Sequence, residues 1–124
     1  MDLLVRMMAK QKSDMFTQDD FEYRLYLQDY WHALRDSAQV VNMNANDMAT
    51  YEYRPKEFLV AKGHPVAGDW LLLWLNCIQD REHFKGLKQI LIPNWSQIED
   101  LYSQYRTLRS REGTVQKNLA NARV

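Results

Sequence analysis

Apolar positions recur along this 124-residue chain in a series of helical stripes. The clearest stripe is Leu27, Trp31, Leu34, Ala38 and Val41, spaced four, three, four and three residues apart. A helix turns by ~100° per residue, so these five fall on one face. Tyr23, Tyr26 and Tyr30 run along one edge of that face and widen it. Thr17 stands where an N-cap belongs, with Asp19 and Asp20 in the first turn near the positive pole of the helix. Together these signals predict one long helix over 17–41. Upstream, Leu3, Leu4, Met7 and Met8 mark a short amphipathic helix over 2–11.

The stretch from Trp70 to Ile78 is the most apolar in the chain. On a helical wheel Trp70, Leu73, Trp74, Cys77 and Phe84 form one face, and Leu71, Leu75 and Ile78 form a second beside it. The two cover roughly 200° of the circumference, more than the single stripe of a surface helix. Leu72, Asn76, Gln79 and Asp80 form the remaining, mostly polar strip. With Asp69 as cap and Gly86 as stop, the pattern predicts a central buried helix over about 69–85.

Shorter signals fill the intervals. Asn42 to Thr50 breaks periodicity and reads as a loop, and Tyr51 to Arg54 as an extended lead into Pro55. Pro55 opens a short helix through Lys62, with Gly63 as its C-terminal stop. Leu87 to Pro93 fits either a helical turn or an extended segment. Ser96 and Glu99 match a capping box, so the last long helix begins there, with Ile98, Leu101, Tyr102, Tyr105 and Leu108 as its stripe. Further along, that line meets Arg109 and Glu112. Gly113 and Thr114 are predicted to break the helix before Val115 and Leu119 restart a weaker face.

The expected fold is therefore all-α, a single-domain bundle of four to five helices around the 69–85 helix, with little or no sheet. Scarce glycine and proline agree with that expectation, and the length suits one domain over 1–124. Net charge is zero but unevenly spread. Residues 1–50 hold eight acids against five bases, whereas a basic C-terminal helix or tail runs from about residue 106. There Arg106, Arg109, Arg111, Lys117 and Arg123 face only Glu112. Such a tail suits phosphates or an acidic partner, or simply the negative pole of a helix.

Candidate chemistry is thin. Asp29, His32 and Asp36 share a helical flank, but one opposite the apolar stripe, where a metal would find no enclosing shell. Cys77 and His83 lie six residues apart and point ~120° away from each other on a helix, so they form no nucleophilic couple. Cys77 is placed in the core. The four glycines head no phosphate-binding loop. The expectation is thus a non-enzyme, with no catalytic residue, metal, cofactor or small-molecule substrate.

The single cysteine allows no internal disulfide and points to a reducing, cytoplasmic setting. No signal peptide is recognised at the N-terminus, and nine residues from Trp70 to Ile78 are too few to span a membrane. The expected function is a small helical subunit or adaptor that meets a protein partner, or a second copy of itself, through amphipathic helices. Met7, Met8, Tyr23, Tyr26 and Tyr30 are its candidate contacts. The alternative is a nucleic-acid backbone binder, or a subunit of a nucleoprotein complex, that uses Arg106, Arg109, Arg111, Lys117 and Arg123.

Overall fold

The computed structural model describes residues 15–122, with side chains described through residue 111. Among these, the order is α1 (Phe21–Gln28), α2 (Trp31–Asp36), β1 (Gln39–Asn42), α3 (Ala45–Thr50), α4 (Pro55–Ala61), α5 (Asp69–Leu75), β2 (Gln89–Ile92) and α6 (Trp95–Ala122). Short 3₁₀ turns stand at Val66–Gly68 and Arg81–His83. The molecule is mostly helical, as the periodicity implies, with one small sheet that it does not. No described helix is long and apolar enough to cross a membrane. The 2–11 helix, with Met7 and Met8, lies outside the described residues.

The predicted 17–41 helix is three elements. Its cap is Asp20, whose carboxylate accepts from the Tyr23 N–H at 3.1 Å, and Thr17 is an exposed residue ahead of the helix. A turn at Asp29 and Tyr30 separates α1 from α2, closed by Tyr30 N–H donating to the Leu27 carbonyl at 2.9 Å. After Ser37 the chain becomes extended, and β1 pairs antiparallel with β2 in the register Gln39 to Ile92 and Asn42 to Gln89. Local spacing cannot see that partner, which lies some fifty residues downstream. The Asn42–Thr50 loop also contains a helix, α3, capped by the Asn44 side chain accepting from the Asp47 N–H at 2.7 Å.

The central helix is the larger correction. It ends at Leu75, ten residues before the expected stop, although no glycine marks the place. Cys77 N–H donates to the Trp74 carbonyl at 3.1 Å, and Ile78 N–H to the Leu73 carbonyl at 2.8 Å. This is a Schellman closure with Cys77 in the left-handed position, φ +60. The end of α4 is built the same way, with Gly63 at φ +78 and His64 N–H donating to the Leu59 carbonyl at 2.8 Å. One motif was legible because glycine filled it; the other was masked by cysteine.

Asn76 then fastens α5 to the sheet. Its amide nitrogen donates to the carbonyls of Leu72 at 2.7 Å and Leu91 at 2.8 Å, while its oxygen accepts from the Leu91 N–H at 2.8 Å. The side chain thereby occupies the edge of β2 that β1 does not pair, and satisfies backbone groups that would otherwise lie open.

Two buried clusters flank α5. Leu71 and Leu75 belong to one with Met15, Tyr23, Leu27, Leu34, Ile98, Leu101 and Tyr105. Leu72, expected on the polar strip, belongs to the other with Met43, Phe58, Leu59, Phe84, Ile90 and Ile92. Trp70 and Trp74, expected as core, are half-buried, and Cys77 is exposed. Trp95 packs against both clusters and close to Gly68, where an added Cβ would come within 2.6 Å of the indole. Its Nε1–H donates to His64 Nδ1 at 3.2 Å.

The last helix begins at Trp95, capped by the Asn94 side chain rather than Ser96. It runs unbroken through Gly113 and Thr114 for 28 residues, about 42 Å at 1.5 Å per residue. Ile98, Leu101 and Tyr105 are buried, whereas residues 106–111 are all exposed.

Candidate interaction surface

Two apolar pairs lie on opposite sides of α1. Tyr23 and Leu27 point inward, at 0% and 1% exposure. Phe21 and Leu25, also four residues apart, sit on the other side of the helix and stand 61% and 47% exposed. Exposed large side chains that share one helix face are a departure from the usual scatter of single surface hydrophobics.

These two residues form one wall of a groove of about 500 Å³ between α1 and α5. The half-buried Trp70, Trp74 and Ile78 form the other wall, over Leu27 and Leu73, with Gln18, Arg24, Gln28, Cys77 and Gln79 as polar lining. Trp70 is held in place by its Nε1–H donating to the Phe16 carbonyl at 2.9 Å. On the other side of Leu25 a second groove of about 340 Å³ lies between α1 and α6, lined by Tyr26, Tyr105, Leu108 and Arg109 among others. Leu25 and Gln28 line both grooves, so the apolar surface continues from the tryptophans across α1 to Leu108, itself 45% exposed.

A polar network locks α1 to α6 beneath this surface. Asp20 caps α1 and also accepts from the Tyr105 hydroxyl at 3.1 Å. Arg109 forms an ion pair with Glu22 and donates to the Tyr105 hydroxyl at 3.4 Å.

The predicted contact residues divide. Tyr23 belongs to the core, not to an exposed edge: its hydroxyl donates to the Met15 carbonyl at 3.0 Å, and its ring meets those of Tyr102 and Tyr105 at 5.1 and 5.3 Å. Burial, then the neighbouring Tyr102 and Asp20, raise its phenol well above the usual range. Tyr26 and Tyr30 are half-buried, with rings 5.2 Å apart, and the Tyr26 hydroxyl donates to Gln104 at 3.2 Å. Desolvation and Tyr30 push the Tyr26 phenol up to about 12. Of these, only Tyr26 lines the second groove.

Arg106 and Arg109 lie over the rings of Tyr102 and Tyr105, at 5.8 and 5.9 Å, and Arg111 is exposed. Lys117 lies within α6 beyond the described side chains, and Arg123 lies outside the described residues.

Asp29, His32 and Asp36 do not form a helical trio, because Asp29 sits in the turn before α2. No cluster of three potential metal ligands occurs among the described residues. Cys77 has Arg35 Nη1 3.6 Å from its sulfur. Burial lowers the pKa of His64. Phe21 and Leu25 escaped the sequence reading, although their spacing, out of phase with Tyr23 and Leu27, was there to be seen. No protein-family model matches the chain, and no curated protein or solved structure does either.

Proposed function

We propose that the chain is a non-enzymatic helical subunit or adaptor that docks into a larger protein assembly, in a cytoplasmic setting, through its amphipathic helices. The observation that supports this is the continuous apolar surface of Phe21, Leu25 and Leu108 beside Trp70 and Trp74. Aromatic residues with arginine at hand, here Arg24 with its guanidinium 5.6 Å from the Phe21 ring centre, have the composition of a protein interface. Light scattering of the purified chain and recovery of it from its native host test the reading. A partnered or self-associated species is expected, dissolved by the double substitution Phe21→Ser and Leu25→Ser. A monomer that retains nothing would overturn it.

The second reading is a nucleic-acid backbone binder, supported by Arg106 and Arg111 standing exposed on the far part of α6. Binding to an oligonucleotide should then appear at low salt, weaken steeply as salt rises, and vanish when both are alanine. No binding at low salt would end it.

A further inference from the structure

We infer that the groove between α1 and α5 receives a short amphipathic helix of a partner protein that carries carboxylates on its flanks. The inference rests on the adaptor reading and states which partner chemistry the surface selects. Both walls are helical, and each presents two large side chains one turn apart: Phe21 and Leu25 on α1, Trp70 and Trp74 on α5. Four residues rise ~6 Å, so the two walls are ribbed at the same period. Trp70 is fixed by its bond to the Phe16 carbonyl, which makes its rib preformed. The walls offer side chains and no free sheet edge, so the fitting occupant satisfies its own backbone hydrogen bonds. That is a helix with apolar anchors at i, i+4 and i+7 laid between α1 and α5. The eight residues of α1 extend about 12 Å, so two to three turns of the partner are enough.

Charge selects the occupant. No acidic residue lines this groove among the described residues; its polar lining is Arg24 and three glutamine amides. Arg24 is exposed on the α1 wall, with its guanidinium over the Phe21 ring and no ion pair among the described residues. Arg35 stands at the Cys77 end, 3.6 Å from the sulfur, and likewise has no carboxylate. The acids that α1 carries nearby are engaged elsewhere, Glu22 with Arg109 and Asp20 with Tyr105. The cations at this apolar groove are therefore the ones left to meet charge from outside. A second copy docked through the same face sets one acid-free groove against another, and leaves both arginines unmatched. The chain's own residues 1–14 do not supply the complement either, since Arg6, Lys10 and Lys12 outnumber Asp2 and Asp14. A partner helix with a glutamate or aspartate beside its anchors, for Arg24, and another toward the Cys77 end, for Arg35, satisfies both.

Two labelled amphipathic peptides of about four helical turns test this against the full chain by fluorescence anisotropy. One has leucine and phenylalanine anchors with glutamate flanks; its twin has lysine in place of every glutamate. The glutamate peptide should bind about tenfold tighter than the twin, as two ion pairs of modest strength allow, with the advantage shrinking as salt rises. Arg24→Glu, at an exposed position, should erase or reverse that preference. Phe21→Ser, at a side chain 61% exposed, should abolish binding of both peptides while the melting curve stays cooperative. Equal binding of the two peptides, no binding, or indifference to Phe21→Ser overturns the inference. So does a dimer of the chain alone that Phe21→Ser dissolves, or an oligonucleotide that binds in the groove and is lost on Phe21→Ser. Peptide binding that appears only after Leu4→Ser with Met8→Ser would assign the groove to residues 1–14 and overturn it too. A native partner lost on Phe21→Ser with Leu25→Ser but kept at full affinity on Arg24→Glu with Arg35→Glu would sink the acidic helix while leaving the adaptor reading standing.

Discussion

Replacing Asn76 by alanine should be among the most damaging single changes on the half-exposed surface. Asn76 makes three hydrogen bonds of 2.7–2.8 Å, to the Leu72 carbonyl and to both backbone groups of Leu91. A protein hydrogen bond contributes about 0.5–1.5 kcal/mol net, and a buried backbone group left without a partner costs about 1–3 kcal/mol. Water reaches this partly buried edge to some extent, so the lower parts of both ranges apply. The expected loss is about 2–4 kcal/mol, a large share of the roughly 5–15 kcal/mol that holds a domain folded. Urea unfolding followed by tryptophan emission would read it as a lower midpoint at unchanged slope. Asn76→Asp makes the test sharper. It keeps the acceptor for Leu91 N–H but turns a carboxylate oxygen toward two carbonyls, so it should destabilise at least as much as alanine. A loss below about 0.5 kcal/mol for both variants, the level of an ordinary surface substitution, would refute the idea that this side chain fastens α5 to the sheet.

Three further outcomes follow from the same geometry. Gly68→Ala should cost about 1–3 kcal/mol by overpacking, since its Cβ would meet the Trp95 indole at 2.6 Å while the backbone, at φ −85, is unstrained; an unchanged melting curve would show that Trp95 can move aside. Cys77→Gly should stabilise the fold by about 1 kcal/mol, because the left-handed position at φ +60 penalises a side chain; a loss of stability in thermal unfolding would mean that the contact with Arg35 outweighs the strain. His64 accepts the Trp95 N–H on Nδ1 and burial lowers its pKa, so the folded state holds the neutral ring. Above the ordinary histidine value of 6.5 both states are neutral and stability is full. Below it the unfolded chain takes up a proton first, so stability falls as the pH drops from 6.5 through the lowered folded value. His64→Gln should flatten that acid limb in a pH series of unfolding midpoints, and an unaltered limb would contradict the assignment.

What could be read from the sequence was mostly what lies within one turn of helix. The α4 helix between Pro55 and Gly63 and the stripe Ile98, Leu101, Tyr105 are visible in spacing and in residues with fixed backbone preferences. The errors arose where distant parts of the chain decide. Val41 fits a helical stripe, yet it and Val40 pair with Ile90 and Leu91 in a strand. Cys77 lacks the glycine that announces a helix end, and only the Leu91 backbone explains why Asn76 stands before it. Trp70 and Trp74 share a phase with core positions, and only the placement of α1 leaves them lining a groove. The tyrosine edge failed similarly at Tyr23, because α1 turns that residue onto α6 and shows Phe21 and Leu25 instead.

The claim most exposed to contradiction is that this apolar surface is where another protein binds. Comparative capture from the native host tests it directly, with wild type, Phe21→Ser plus Leu25→Ser, and the control Val60→Ser compared side by side. Val60 is 63% exposed but lies on α4, away from both grooves. A specific protein retained by wild type and by the Val60 variant, and lost from the double variant that still melts cooperatively, is the predicted result. Equal retention by all three would contradict it.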